Sequence, residues 1–213
     1  VMDSTSLDPT ATVDTDPLNS WDDLSGNGND FTQTSTNRPE LDIVGGEKEV
    51  NFDDAAAQYF DAPNNSLGEL VLGTDEATFI VKEGNITASL GAFFSKSVAG
   101  SERNYIMYRS NNVDNTYINI GGSIASYGAG AGVPTGVTDR VWVLTVSTSV
   151  YNLYVDGVQV ATDVSFDTTY DDHSGQSMNI GGRTDGSFTL NGNMQFFGMA
   201  EGVATSGEIA QIF

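Results

Sequence analysis

The chain has no cysteine, one histidine and few basic residues, and each shortage excludes a class of site. Without cysteine it has neither a disulfide framework nor a thiolate metal site. The single histidine, His173, cannot form a histidine-rich zinc site. Eight basic residues stand against 29 acidic ones, which gives a formal net charge of -21. Such a charge repels phosphates, so nucleic acid and anionic lipid are excluded as partners.

Long apolar runs are missing too. Neither a signal peptide nor a transmembrane span is visible, so we expect no membrane insertion. The chain begins at Val1 rather than Met, which leaves open whether it is a processed product or a piece of a longer protein. Its acidic charge favours solubility and fits a saline setting. A length of 213 residues suits one domain, and we predict a solvated, extended arm over residues 1–20 followed by a domain over residues 21–213.

Short segments rich in aromatic and β-branched residues, separated by turn residues, predict β-strands throughout the chain. Asp156-Gly157 predicts a two-residue β-hairpin, and Thr205 with Glu208 predicts a capped short helix from Ser206. The pattern predicts an all-β fold, a two-sheet antiparallel jelly-roll sandwich with one short C-terminal helix. The predicted strands cover residues 31–35, 38–46, 49–52, 58–61, 77–82, 88–95, 104–109, 116–120, 140–147, 151–155, 158–164, 178–182 and 194–200.

Two glycine-rich segments predict loops. Residues 126–132, SYGAGAG, lack the Lys-Ser/Thr that a phosphate-binding loop requires. Residues 21–30, WDDLSGNGND, combine glycine with side chains that bond back to the backbone, which predicts a tight turn anchored by Trp21. The same oxygen-rich side chains are ligands that Ca²⁺ prefers, although their spacing is not that of an EF-hand. The alternative to a structural turn is therefore a calcium site formed by Asp22, Asp23, Asn27, Asn29 and Asp30.

This loop also carries a family resemblance. Together with Arg38-Pro39 and Phe52-Asp53, it resembles the laminin-G-like domains of the concanavalin A-like lectin/glucanase superfamily. The segment LYVDGVQVA, and NIGGR followed by FTLNGNMQFFGMAEGVATSGEI, resemble the family's later hairpin and closing strands. One departure is Asp54, where the family usually has glycine, which puts that local turn in doubt. The resemblance extends from about Leu7 to Phe213 and implies a concanavalin A-like jelly-roll sandwich.

The resemblance implies a binding or display module of the kind found in phage fibres, capsid-associated proteins and bacterial surface proteins. We therefore expect a non-enzymatic structural or adhesive module on a virion or cell surface, in an extracellular setting. Its expected partners are host surface glycans or neighbouring subunits. No cofactor is required, and calcium is the optional ion.

The main alternative is a calcium-dependent lectin-like domain. Its acidic and amide-rich loops are residues 22–30 and 171–174, and His173 lies in the second. Tyrosine rings stack on sugars through their apolar faces, although packing within a sheet is the more ordinary role of such residues. The tyrosines considered for stacking are Tyr105, Tyr108, Tyr117 and Tyr127.

A second alternative is a glycoside hydrolase, which the superfamily includes. Retaining hydrolases need two carboxyl groups about 5–5.5 Å apart. Glu40 and Asp42 alternate as such a strand pattern requires, but Val44 occupies the third acidic position and Glu47 lies beyond a glycine pair. The sequence therefore predicts no catalytic residues.

Overall fold

The computed structural model describes residues 1–62, 72–87, 90–97, 103–109, 115–128, 131–133, 139–169, 176–183 and 185–213, without the side chains of residues 97 and 103–105. Within these residues the chain forms two antiparallel sheets and one short helix, which confirms the predicted two-sheet sandwich. No helix in these ranges is long and apolar enough to span a membrane.

The first sheet has eight strands in the order β1-β2-β5-β14-β7-β8-β9-β10. Its strands are β1 (Ser20–Trp21), β2 (Phe31–Thr32), β5 (Phe60–Asp61), β7 (Gly91–Ser97), β8 (Arg103–Arg109), β9 (Thr116–Ile120), β10 (Ser123–Tyr127) and β14 (Met178–Ile180).

The second sheet has seven strands in the order β13-β12-β11-β6-β15-β4-β3. Its strands are β3 (Glu40–Val44), β4 (Glu47–Phe52), β6 (Ala77–Ile86), β11 (Val141–Val146), β12 (Val150–Val155), β13 (Val158–Ser165) and β15 (Gly192–Glu201). The helix α1 (Ser206–Ile209) follows β15, with the predicted capping box between Thr205 and Glu208 in place.

The predicted hairpin turn at Asp156-Gly157 forms for the expected reason. Asp156 and Gly157 have φ of 48° and 80°, the positive values that a tight two-residue hairpin needs. Gly45-Gly46 joins β3 to β4 with the same sign of φ. The strand β10 was not predicted, because Ser126 and Tyr127 were assigned to the glycine-rich loop.

Aromatic side chains from both sheets fill the space between them. Phe79 of β6 stacks on Phe94 of β7 at 4.6 Å between ring centroids, and Phe197 of β15 lies 5.7 Å from Phe94. Trp21 is fully buried, as the sequence predicted for the anchor of its loop. Burial of each such ring contributes about 1.5–3 kcal/mol, so this layer holds the two sheets together.

The expectation of a solvated arm over residues 1–20 is wrong for the buried side chains Met2, Leu7 and Leu18. Backbone hydrogen bonds join Met2 to Phe197 of β15 in both directions. The arm binds the sandwich because its few apolar residues reach the core. Whether residues 1–20 form a unit separate from residues 21–213 stays a prediction.

Candidate functional site

The predicted calcium loop is held by its own hydrogen bonds. The Asp23 carboxylate accepts from the backbone N–H of Ser25 at 2.9 Å, from its hydroxyl at 2.6 Å and from the N–H of Asn29 at 3.3 Å. Asp30 accepts from the Asp23 N–H at 2.7 Å. Burial acts to raise the pKa of Asp23, but the hydrogen bonds from Ser25, together with the hydrogen bond and charge of the Val1 amino group, outweigh it and hold that pKa well below its ordinary value.

These bonds occupy oxygens that a cation would need. In the part of the chain that the structure describes, no group of three or more acidic, histidine or cysteine side chains could hold a metal ion. The calcium site formed by Asp22, Asp23, Asn27, Asn29 and Asp30 therefore stays a prediction. The second acidic loop, residues 171–174 with His173, lies outside the described residues.

A cavity of about 120 Å³ opens beside the loop. Ser25, Asn27 and Asn29 form part of its polar rim, and Phe31 and Phe197 belong to its apolar floor. Its volume is well below the roughly 300 Å³ at which small-molecule pockets begin. The loop therefore frames a small recess at one end of the sandwich.

The four tyrosines considered for stacking have different positions. Tyr127 is buried, and its hydroxyl hydrogen-bonds to that of Tyr151, so it belongs to the core. The side chain of Tyr105 is outside the described residues. Tyr108 and Tyr117 are directly opposite each other on β8 and β9 and stack at 5.1 Å with 13° between their planes.

Tyr108 and Tyr117 lie on the face of the eight-stranded sheet that is turned away from the main core. Their cluster contains Ala92, Ile106 and Phe188 and is separate from the core between the sheets. Phe188 meets Tyr108 edge-on at 5.4 Å and has a φ of 54°, a conformation that non-glycine residues rarely adopt. We call this outer surface the tyrosine face. Tyr117 is half-buried there, so part of its ring is open to solvent.

A polar row crosses the tyrosine face in register. Opposite one another on successive strands lie Asp61, Asn179, Ser95, Ile106, Asn119 and Ile124. The Asn179 amide donates to Asp61 at 2.6 Å, and the Ser95 hydroxyl donates to the Gly182 carbonyl at 2.9 Å. Burial raises the pKa of Asp61, against the hydrogen bond from Asn179. The row places the amide of Asn119 beside the stacked rings, whereas Ser95 and Asn179 are buried and bonded within the sheet.

One end of the row has an unmatched acceptor. Asn119 is 2% exposed, and its Oδ1 atom has no hydrogen-bond partner. A buried amide oxygen without a partner costs about 1–3 kcal/mol. At the other side of the tyrosine face, Arg183 pairs with Asp185 at 3.4 Å and lies over the Phe188 ring.

The seven-stranded sheet has a carboxylate pair on its own outer face. Asp42 of β3 is directly opposite Glu49 of β4, because the two strands are joined by the Gly45-Gly46 turn. The Asn193 amide donates to Asp42 at 2.6 Å and to Glu49 at 2.8 Å. The two acceptor oxygens therefore share one donor nitrogen, and the buried Glu49 carboxylate also accepts from the Gln195 amide at 2.6 Å.

Sequence reasoning missed Glu49 as the partner of Asp42. The glycine pair was a sufficient signal, since a two-residue hairpin at Gly45-Gly46 fixes which residues are opposite. Glu40 lies on the same strand as Asp42, at the edge of the sheet, as its early position in the chain suggested. No sequence signal identified Asn119 or Asn193.

No protein-family model matches the chain, and no curated protein matches it. Solved structures do match. Trypanosoma rangeli sialidase in complex with the inhibitor DANA has a TM-score of 0.62 at 14% identity, over 95% of this chain and 31% of the sialidase. NanB sialidase from Streptococcus pneumoniae has a TM-score of 0.58 at 17% identity, over 76% of this chain and 27% of the sialidase.

Domain 4 of AbnA, an extracellular GH43 arabinanase from Geobacillus stearothermophilus solved with arabinotriose, is a third match. Its TM-score is 0.53 at 14% identity, over 85% of this chain and 82% of that domain. These similarities show the fold. It is a two-sheet antiparallel β-sandwich. The chain spans about a third or less of the two sialidases.

The expectation that the chain is not an enzyme is contradicted by these comparisons. Solved proteins that contain a segment of similar fold include two sialidases and a domain of an arabinanase, so the fold does not separate a binding module from a hydrolase. At identities of 14–17% the similarity gives enzymatic activity only weak support.

Proposed function

We propose that this chain is a glycan-binding β-sandwich module of the laminin-G-like kind, displayed on a virion or on a cell surface. The glycan lies on the tyrosine face. The observation that carries the proposal is the half-buried ring of Tyr117, which stacks on the buried Tyr108 and lies two residues from the amide of Asn119. Sugar rings present apolar faces and hydroxyl edges, so an aromatic platform flanked by hydrogen-bonding groups is the chemistry that binds them.

The comparisons support this proposal. Domain 4 of the arabinanase has a similar fold over most of both chains and was solved with a bound oligosaccharide, arabinotriose. The net charge of -21 supports a surface setting, because it favours solubility and resists adhesion to nucleic acid. Neighbouring subunits of the same surface structure remain proposed partners, alongside the glycan.

The test is a glycan array probed with the wild-type protein and a Tyr117→Ala variant. We expect specific binding that the variant loses, because removing the exposed ring removes the stacking surface. Tyr154→Ala is the matched control, since Tyr154 is a half-buried tyrosine on the other sheet. A wild-type protein that binds no glycan, or equal binding by both variants, contradicts the proposal.

The calcium-dependent form of this function is tested on the same array. Binding that requires millimolar calcium would assign the ion to Asp22, Asp23, Asn27, Asn29 and Asp30. A melting temperature unchanged by calcium would contradict it, because an ion bound to the native state must stabilise that state.

A second candidate function is glycoside hydrolysis, which the Asp42–Glu49 pair favours. Both carboxylates accept from one amide nitrogen, so two acidic groups are held side by side, as a retaining mechanism requires. A reducing-sugar assay on β-glucans and arabinans tests it, with Asp42→Asn and Glu49→Gln as inactive variants and Glu47→Gln as the control. A wild-type protein that releases no sugar ends this candidate.

A further inference from the structure

We infer that the tyrosine face selects uncharged glycans and that Asn119 accepts a hydrogen bond from the ligand. This inference rests on the proposed function and names the ligand class for the same site. It starts from the unmatched Oδ1 atom of Asn119, which lies two residues from Tyr117 on the same face of β9. An amide oxygen needs a donor, and sugars supply O–H and N–H donors.

The two neighbours of Asn119 on the adjacent strands differ in their exposure to solvent. Ile106 of β8 flanks it on one side and is 1% exposed. Ile124 of β10 flanks it on the other side and is 55% exposed. Asn119 is therefore bordered on this second side by a side chain that extends into solvent. A ligand that reaches the Oδ1 atom would approach from this side.

Charge decides the ligand class. Asp61 is the half-buried carboxylate of the polar row, and it accepts a hydrogen bond from the neutral amide of Asn179. The Arg183 guanidinium of this face is already paired with Asp185. A carboxylated or sulfated sugar would be repelled by the Asp61 carboxylate and by the net charge of -21 on the whole chain. This repulsion acts within a Debye length and weakens the binding of acidic sugars, whereas an uncharged sugar is not repelled.

The decisive variant is Asn119→Leu, with Asn51→Leu on the other sheet as the matched control. Replacing a buried, unpaired amide by an apolar side chain of similar size should leave the unfolding midpoint equal or higher. The same change should weaken glycan binding by about tenfold, the loss of one hydrogen bond. If Asn119 had a purely structural role, its substitution would not weaken glycan binding while the stability of the protein is unchanged.

The array should carry each neutral oligosaccharide beside its sialylated, uronic-acid or sulfated counterpart. We expect the neutral member of each pair to bind at about 20 mM and about 500 mM NaCl alike, and the acidic member to gain signal only at high salt. Silence toward every glycan would overturn the proposed function. Binding that Asn119→Leu leaves intact, or equal binding of acidic sugars at low salt, would overturn this inference and leave the proposed function standing.

Discussion

Gly121 shows how single positions are constrained in this sandwich. Gly121 and Gly122 form the turn between β9 and β10, with φ of 56° and 77°. A Cβ atom on Gly121 would lie 1.9 Å from the carbonyl oxygen of Asp167, whereas one on Gly122 would meet nothing within 4 Å. The two positions have the same left-handed backbone conformation, but only Gly122 has room for a Cβ atom.

We therefore expect Gly122→Ala to destabilise the protein by about 1 kcal/mol, the cost of a side chain in the left-handed region. Gly121→Ala should cost about 3 kcal/mol or more, because the Asp167 carbonyl must also move. Urea unfolding of the two variants measures the difference. Equal costs would mean that the loop at Asp167 adapts without penalty.

Asp8 provides a second prediction at the residue scale. It is 4% exposed and accepts hydrogen bonds from the backbone and side chains of Thr10 and Asn19. Burial acts to raise its pKa, but these hydrogen bonds outweigh it and lower the pKa to about 2. A lowered pKa in the folded state stabilises the protein above the ordinary value of 3.8, and this contribution is lost as pH falls toward 2.

Asp8→Asn should therefore lose about 2 kcal/mol at pH 5 and progressively less toward pH 2. Urea unfolding at several pH values between 5 and 2 gives this comparison. Glu47→Gln, an exposed acid-to-amide change on β4, is the control. A constant difference between wild type and Asp8→Asn across the series would contradict the assignment.

At the scale of elements, the two sheets are joined by a buried polar cluster as well as by aromatic packing. Glu83 of β6 accepts at 3.2 Å from Arg109 of β8 and at 3.2 Å from Arg140, which precedes β11. All three side chains are at least 98% buried. The cluster crosses from one sheet to the other, with Arg109 over the ring of Trp142.

Burial raises the pKa of Glu83 to about 7, against the opposing charges of Arg109 and Arg140. The folded state therefore binds a proton that the unfolded state has released, and the free energy of unfolding should fall as pH rises from about 4.5 to 7. Glu83→Gln cannot ionise and should lose this dependence. Denaturant unfolding at pH 4.5, 6 and 7 compares the two slopes, and parallel curves would show that Glu83 does not titrate in this range.

The N-terminal arm shows where prediction from sequence reached its limit. Sequence patterns identified the strands and hairpins, because alternation and turn residues are local signals. Burial of the arm depends on backbone pairing with distant strands: Thr15 with Leu41, and Asp8 with Ser20. These bonds cover the edges of both sheets, β3 and β1, which would otherwise offer unpaired backbone groups. A few scattered apolar residues do not indicate with which strands the arm will pair.

The candidate site was also only partly predictable, because residue types are visible in the sequence and the pairing of strands is not. Tyr108 and Tyr117 were identified as aromatic side chains that could stack on sugars. Their meeting, and the position of Asn119 beside them, depend on the register between β8, β9 and β10. A period-two pattern shows which side chains share a face, but it leaves the register between β8 and β9 open, because no two-residue turn signal joins them.

Over the whole molecule, charge and burial together predict that the protein is most stable at a mildly acidic pH. Asp8 loses its contribution below about pH 4, and the contribution of Glu83 declines above about 4.5. The net charge of -21 adds self-repulsion that grows as carboxyl groups ionise. Salt screens this repulsion within a Debye length of about 10 Å at 0.1 M. The melting temperature should therefore be highest between about pH 4 and 5. Added NaCl should raise the melting temperature more at pH 7.5 than at pH 4.5. Equal salt effects at both pH values would show that specific ion pairs, rather than net charge, dominate the electrostatics of the folded chain.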